Sequence, residues 1–324
     1  MDSSDFIQTT MIPKSLVIVE PTNFKVNPET MNDNQYMLKL TESTESIHQK
    51  VLSEHKNFQK KLEENNVEFK LYKQVHDEAY DSIFACDWIG TIKNEDFPEG
   101  ILFVFPVKWP TRRLEKNYKL IEDLKSEYKI FEDLSFFEKK DLALESFGTM
   151  SLDFHNRIIY LNLSERCHLE PAKYFLELLN KHSQKGNYIL RIIESTDPSD
   201  GIPCFHTGLY LAFLDKTVFF CKEFVKEKIE AEKLIQELSI ENLYKYDVVL
   251  LSYDETLKMC ANVVEVNLKD KSKTGLVMSR SSANTYTEEN LNKLKKNYEL
   301  IIVDMDTINT CAGGSLRCMS VMMF

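Results

Sequence analysis

Short β-branched and aromatic runs recur from one end of the chain to the other with helical stretches between them, and no other feature restricts the fold as much. The runs are SLVIVEP, EFKLYKQ, GILFVFPV, TMSLDF, RIIYLNL, YILRIIES, GLYLAFL, TVFFCKEF, DVVLLSY, NVVEVNL, TGLVMS and ELIIVDM, each of strand length. Between them Thr44 to Asn65 carries Ile47, Val51, Phe58 and Leu62 on one helical stripe, and Cys221 to Leu238 carries Val225, Ile229 and Leu238. Ser252-x-x-Glu255 and Thr285-x-x-Glu288 have the form in which a hydroxyl and an acid cap each other's backbone N–H groups, and they predict helix starts after strands. The alternation predicts an α/β fold. No self-similarity at a fixed period is visible, so periodicity alone predicts no repeat architecture.

Nothing in the chain reads as a linker, since its nine glycines and nine prolines are scattered and no Ser/Gly or charged tract divides it. With 43% hydrophobic residues there is apolar material for a large core, and one domain over residues 1–324 is expected. A formal charge of −11 argues against nucleic acid or an anionic membrane surface as partner, because both select a basic face. Small molecules or proteins are the expected partners. The seven cysteines (86, 167, 204, 221, 260, 311 and 318) are odd in number and never form C-x-x-C, so neither a disulfide frame nor a zinc knuckle is expected. A reducing, cytoplasmic setting follows. No apolar run approaches the roughly 18 to 20 residues of a membrane span. The opening MDSSDFIQTT lacks a leader's basic-then-apolar pattern, which leaves only leaderless export open.

Phosphate-loop, dinucleotide, zinc-protease and Ser-hydrolase motifs are absent, so no metal or cofactor is expected and cysteine is the best available nucleophile. Cys318 lies in AGGSLRCMSVMMF, behind Gly313 and Gly314 and beside Ser315 and Arg317, which offer backbone freedom, donors and positive potential. A buried, inert cysteine is the ordinary outcome for such a residue. His206, in IPCFHTGLYLAF, sits at the mouth of an alternating strand, where it serves either as a general acid/base or as a structural histidine. Asp81 and Asp87 bracket SIFAC, and Glu145 precedes SFGTM; carboxylates in apolar surroundings need cationic partners, which Arg112, Arg113 and Arg166 could supply. Surface caps and ion pairs account equally well for each of these taken singly.

Taken in order, the segments resemble the guanidino-group-modifying superfamily of arginine deiminases, dimethylarginine dimethylaminohydrolases and amidinotransferases, and its citrulline-hydrolysing branch in particular. The segments that carry the likeness are VEPTNFKVNPET, YDSIFACDW, FVFPVKWPTRRLEK, LESFGTMSLD, LNLSERC, CFHTGLYL and AGGSLRCM, and they run nearly end to end. The resemblance implies a five-bladed α/β propeller (pentein) of ββαβ units around a central channel, forming one catalytic domain. It implies that Cys318 attacks the central carbon of a guanidino or ureido group, that Asp87 and Glu145 hold that group and that His206 is the acid/base. It further implies that Asp81, Arg112, Arg166 and Gly314 contact the substrate. The chemistry suits those residue types: paired carboxylates fix a planar guanidinium face-on to a thiolate, and the cation in turn favours the thiolate.

Two positions depart from the family pattern. Gly208 stands where the family commonly has Asp or Asn, and Ser146-Phe147 replaces Gly-Thr. Asp87, where the citrulline-hydrolysing branch tends to carry Asn, points to a cationic guanidino substrate rather than a neutral ureido one. The expected activity is hydrolysis of arginine or an arginine derivative. Amidino transfer to an amine acceptor is the alternative. A protein-arginine-modifying or weakened binding role is a third, suggested by the two departures and by Trp88 and Trp109, read either at the entrance or in the core. A homodimer and a protein substrate both stay open.

Overall fold

A computed structural model describes residues 11–269 and 272–324. The opening segment read above for a leader lies outside the described residues. Fifteen strands among the described residues form five three-stranded sheets. In chain order they are β1 (Ser15–Glu20), β2 (Phe69–Lys73), β3 (Ile89–Ile92), β4 (Ile101–Val104), β5 (Ile130–Asp133), β6 (Met150–Asp153), β7 (Ile158–Leu161) and β8 (Ile189–Ile192). There follow β9 (Leu211–Phe213), β10 (Thr217–Phe220), β11 (Asp247–Leu250), β12 (Val264–Val266), β13 (Thr274–Ser279), β14 (Tyr298–Val303) and β15 (Val321–Met323).

Four sheets are consecutive: β3-β4-β5, β6-β7-β8, β9-β10-β11 and β12-β13-β14. In each, the first strand runs antiparallel to the middle one, and the middle strand runs parallel to the third across a helical connection. The fifth sheet is β15-β1-β2, with β15 antiparallel to β1 and β1 parallel to β2. The last strand therefore fills the position that the first blade lacks, and the chain closes into the five-bladed α/β propeller of ββαβ units. Met323 pairs with Ser15 and Val321 with Val17.

Burial explains the strand sequences. The first strands β3, β6, β9 and β12 are buried along their whole length, between the axis and the middle strands. The outer strands β2, β5, β8 and β11 are partly exposed. The middle strands β4, β7 and β10, covered on both faces, read as the apolar runs ILFV, IIYL and TVFF, while the buried first strands also carry polar residues such as Thr91, Asp153 and Glu265. All twelve quoted runs contain a strand; β3, β5 and β15 were not among them.

The helix Thr44–Glu64 buries Ile47, Val51, Phe58 and Leu62 as the stripe predicts, with His55 beside them, and Ser43 caps it. Ser252 and Glu255 form the capping box of Tyr253–Leu257: Ser252 Oγ accepts from Glu255 N at 3.2 Å and Glu255 Oε2 accepts from Ser252 N at 2.8 Å. Two helix expectations are corrected. The stretch from Cys221 begins as a 3₁₀ turn, its α-helix runs only over Lys228–Gln236, and Ile229 is 85% exposed, so Val225 and Ile229 form no buried stripe. The cap of Glu288–Asn297 is Thr287, not Thr285, which ends the preceding helix. Among the described residues no helix is long and apolar enough to cross a membrane, and all seven cysteines are free thiols.

Candidate active site

The loop leading into the first strand of each blade carries one polar side chain toward the axis. Asp87 precedes β3, Glu145 precedes β6, His206 precedes β9, Asn262 precedes β12 and Cys318 precedes β15. All five are buried. The propeller thus converts residues spread over the chain into one cluster, and Asn262 is its fifth member, which the motifs did not reveal.

Asn262 fixes the thiol from two directions. Its Oδ1 accepts from the backbone N–H of Arg317 at 3.0 Å and of Cys318 at 3.3 Å, and its Nδ2 donates to Cys318 Sγ at 3.0 Å. Cys86 lines the same cavity as Cys318, its Sγ donating to Asp87 Oδ1 at 3.5 Å. The neighbouring Cys86 thiol outweighs burial and the Asp87 charge, and with the His206 charge and the Asn262 donor it brings the Cys318 thiol down to about 7. Such a group is substantially thiolate at neutral pH.

His206 Nε2 donates to Glu145 Oε2 at 2.9 Å. The carboxylate also takes Arg166 Nη1 at 3.4 Å and lies 3.8 Å from Arg112 Nη1. Burial alone would push its carboxyl up; the Arg166 charge, the His206 hydrogen bond and the Arg112 charge together hold it far below the usual carboxylate range. Arg112 donates to Asp87 Oδ2 at 2.8 Å and, through Nε and Nη2, to both oxygens of Glu115 at 2.9 and 3.0 Å. Arg166 Nε donates to Asp33 Oδ2 at 2.8 Å. The acids and the arginines assigned by resemblance to opposite ends of a substrate therefore form one cross-paired network. Asp87, Glu145 and His206 offer ligand atoms within 4.8 Å of one another, a spacing a cation could bridge, but the guanidinium groups already supply positive charge there.

Asp81 lies next to this network, its Oδ2 accepting from Asn27 Nδ2 at 2.8 Å and Thr30 Oγ1 at 3.0 Å, with Oδ1 buried and unpartnered. Gly314 lies against the ring of Phe84, so the close approach it permits is to protein and not to the open site. Arg113 turns away to the carbonyls of Val107 and Lys108. Trp88 is fully buried in the core; Trp109 alone lies at the rim, its indole N–H 3.4 Å from Asp33 Oδ1.

A family model described as N,N dimethylarginine dimethylhydrolase, eukaryotic, matches residues 20–324. The chain belongs to that family. A hydrolase of amidine C–N bonds is the enzyme class that goes with this membership. Among solved structures the chain is similar to the N-terminal domain of ArgZ, a cyanobacterial arginine dihydrolase bound to substrate, at 13% identity and a TM-score of 0.69, covering 95% of this chain and 97% of that one. It is similar to a dimethylarginine dimethylaminohydrolase adduct with 4-chloro-2-hydroxymethylpyridine, at 16% identity and a TM-score of 0.64, covering 96% and 100%. AgrE with L-arginine matches at 12% identity and a TM-score of 0.69, over 96% of this chain but 40% of that one. No curated protein matches the chain. At these identities the structural likeness carries the fold.

Within the family frame the two departures meet in space. A Cβ on Gly208 would lie 3.2 Å from the Gly148 carbonyl oxygen and 3.4 Å from that of Phe147. The turn Ser146–Thr149 thus occupies the space into which a side chain at position 208 would project. Ser146 takes a left-handed backbone, at φ 45°, a conformation that glycine adopts at no steric cost. The Phe147 ring packs edge-on against Phe105 and walls a cavity shared with His206, Cys86 and Cys318.

Proposed function

We propose that the protein is a cysteine-dependent hydrolase of the guanidino carbon of arginine or an N-methylated arginine. The observation that carries the reading is a thiol near neutral pKa, clamped by Asn262, on the same cavity as an imidazole anchored to Glu145. Cys318 Sγ attacks the guanidino carbon, and His206 gives its proton to the departing amine, leaving a covalent thiouronium. His206 then takes a proton from water; the hydroxide adds to the same carbon and the C–S bond breaks, releasing a ureido product and the free thiolate. Asp87 and Glu145 hold the substrate cation, each giving up part of its contact with Arg112 or Arg166, whose freed donors then suit the substrate's carboxylate.

The apolar lining of the cavity beside His206, from Ile89, Phe147, Leu209 and Met322, suits a methylated leaving amine better than ammonia. The free thiols fit a reducing, cytoplasmic location. The test is amine and ureido-product release from arginine and its N-methylated derivatives. Turnover should fall by roughly 10³-fold or more in Cys318→Ala, and unchanged turnover would refute the mechanism.

A further inference from the structure

Arg317 differs from Arg112 and Arg166 in having no acid. Among the described residues no carboxylate forms an ion pair with its guanidinium, whose hydrogen bond goes to the Phe213 carbonyl at 3.3 Å. His206 and Cys318 precede the starts of β9 and β15, whereas Phe213 ends β9, so the Arg317 side chain reaches along the axis away from the thiol. There it lines a second cavity of about 570 Å³, which shares Arg317, Phe147 and Met322 with the active-site cavity and has Leu152, Phe154 and Phe324 among its other walls. The mechanism above uses neither this chamber nor the guanidinium. We propose that the chamber is a binding site for a monocarboxylate with an apolar body, whose head pairs with the Arg317 guanidinium.

A guanidinium enclosed by protein without a counter-charge is costly, and a bound anion removes that cost. The chamber's own acid is engaged elsewhere: Glu265 Oε2 accepts from the Asp215 backbone N–H at 2.9 Å and Oε1 from Thr274 Oγ1 at 2.7 Å. A cation would meet the guanidinium, and a bare inorganic anion would meet one donor group and hydrocarbon. A carboxylate on an apolar body matches both the charge and the walls, and the volume lies in the range of small-molecule sites. Glu265 also lines an outer cleft on the face opposite the thiol, between the β9–β10 turn and the starts of β13 and β14. Lys216, Lys245, Lys273 and Lys296 line that cleft. Of the acids beside them, Asp215 accepts from the Met11 N–H at 2.9 Å and Asp247 from Asn297 Nδ2 at 2.9 Å. In a chain of net charge −11 this is a cationic approach that draws an anion toward the chamber. Met11 and Pro13 line the chamber and Ile12 the cleft, so this short segment stands between the two. Binding here does not depend on chemistry at Cys318.

Isothermal titration of the full chain with octanoate, octanol and acetate separates the head from the body. Octanoate should bind saturably, and octanol and acetate each at least about tenfold more weakly, the scale of one charge-assisted hydrogen bond. Arg317→Met, which keeps an unbranched chain and removes the charge, should weaken octanoate about tenfold or more and leave octanol unchanged. Leu214→Trp, which fills the chamber from the β9–β10 turn, should abolish both. Absence of saturable octanoate binding overturns the proposal, as does octanol binding equally well. Acetate binding as tightly as octanoate shows a site for small anions only and overturns it too. Octanoate held on the Arg112 and Arg166 side instead would survive both substitutions, which excludes the chamber. If Arg317→Met does not fold, Leu214→Trp decides, and undiminished octanoate binding in that variant overturns the proposal.

Discussion

The two sides of the site differ in how they are held. On one side Arg112 and Arg166 lie among Asp33, Asp87, Glu115 and Glu145, and every carboxylate there has a guanidinium within 4 Å. On the other, Cys318 and Cys86 sit among Ile89, Phe147, Leu209 and Met322, and the direct hydrogen-bond donor to the Cys318 sulfur, the Asn262 amide, is neutral. Buried charges are kept only where they are paired, so the first side is stable as long as its pairs are complete. A charged substrate binds there by exchanging partners. The thiol side gains reactivity from low dielectric and fixed donors, and small hydrogen-bond changes tune it.

The largest effect is expected where one residue serves both sides. Glu145→Gln leaves Arg166, Arg112 and His206 without their common negative charge. It should cost about 3–5 kcal/mol of stability, the scale for breaking a buried ion pair, and at least about 10²-fold in turnover through a misdirected imidazole. Thermal or denaturant unfolding together with turnover measures both, and a variant that keeps its stability would show that the network is not interdependent. Phe147→Ala attacks the apolar wall instead. Its half-buried ring should cost about 2–3 kcal/mol, less than the roughly 3–5 kcal/mol of a fully buried one, with the Asp87, Arg112 and Glu145 contacts intact. If the loss in unfolding free energy is negligible, the ring does not support the thiol side.

Both sides were legible in the sequence to different depths. Asp87, Glu145, His206 and Cys318 could be picked out because each sits in a segment resembling a family motif, and the structure gathers them around His206. The cross-pairing of Arg112 with Asp87 and of Arg166 with Glu145 could not, because it joins the loop before a blade's first strand to the one after its middle strand, and their separation in the chain says nothing about distance. Strand β5 was overlooked because its four residues Ile130–Asp133 are half exposed and half acidic, and β3 because Gly90 and Thr91 break its apolar run. The helix from Cys221 was drawn too long because Val225 and Ile229 share a helical period that the chain uses for a turn and a solvent-facing residue. Asn262 left no chemical signature. The signal that identifies it is positional: it stands before β12 as Asp87 stands before β3, and a repeat too diverged to see by eye hides that correspondence.

Asn262 also gives the mildest prediction, because it shares its task with Cys86. Cys318 works as a thiolate, so turnover under substrate-limited conditions should rise as the pH passes upward through about 7. Removing a donor to the sulfur disfavours the charged form and moves that limb to higher pH. In Asn262→Ala the amide donor is lost, and the sulfur's loop loses the acceptor for the N–H groups of Arg317 and Cys318. The limb should move up by about half a unit, a rate loss of about threefold at pH 6 that fades by pH 9. A loss that is equal at every pH would assign Asn262 to holding the loop in place and not to setting the charge on the nucleophile.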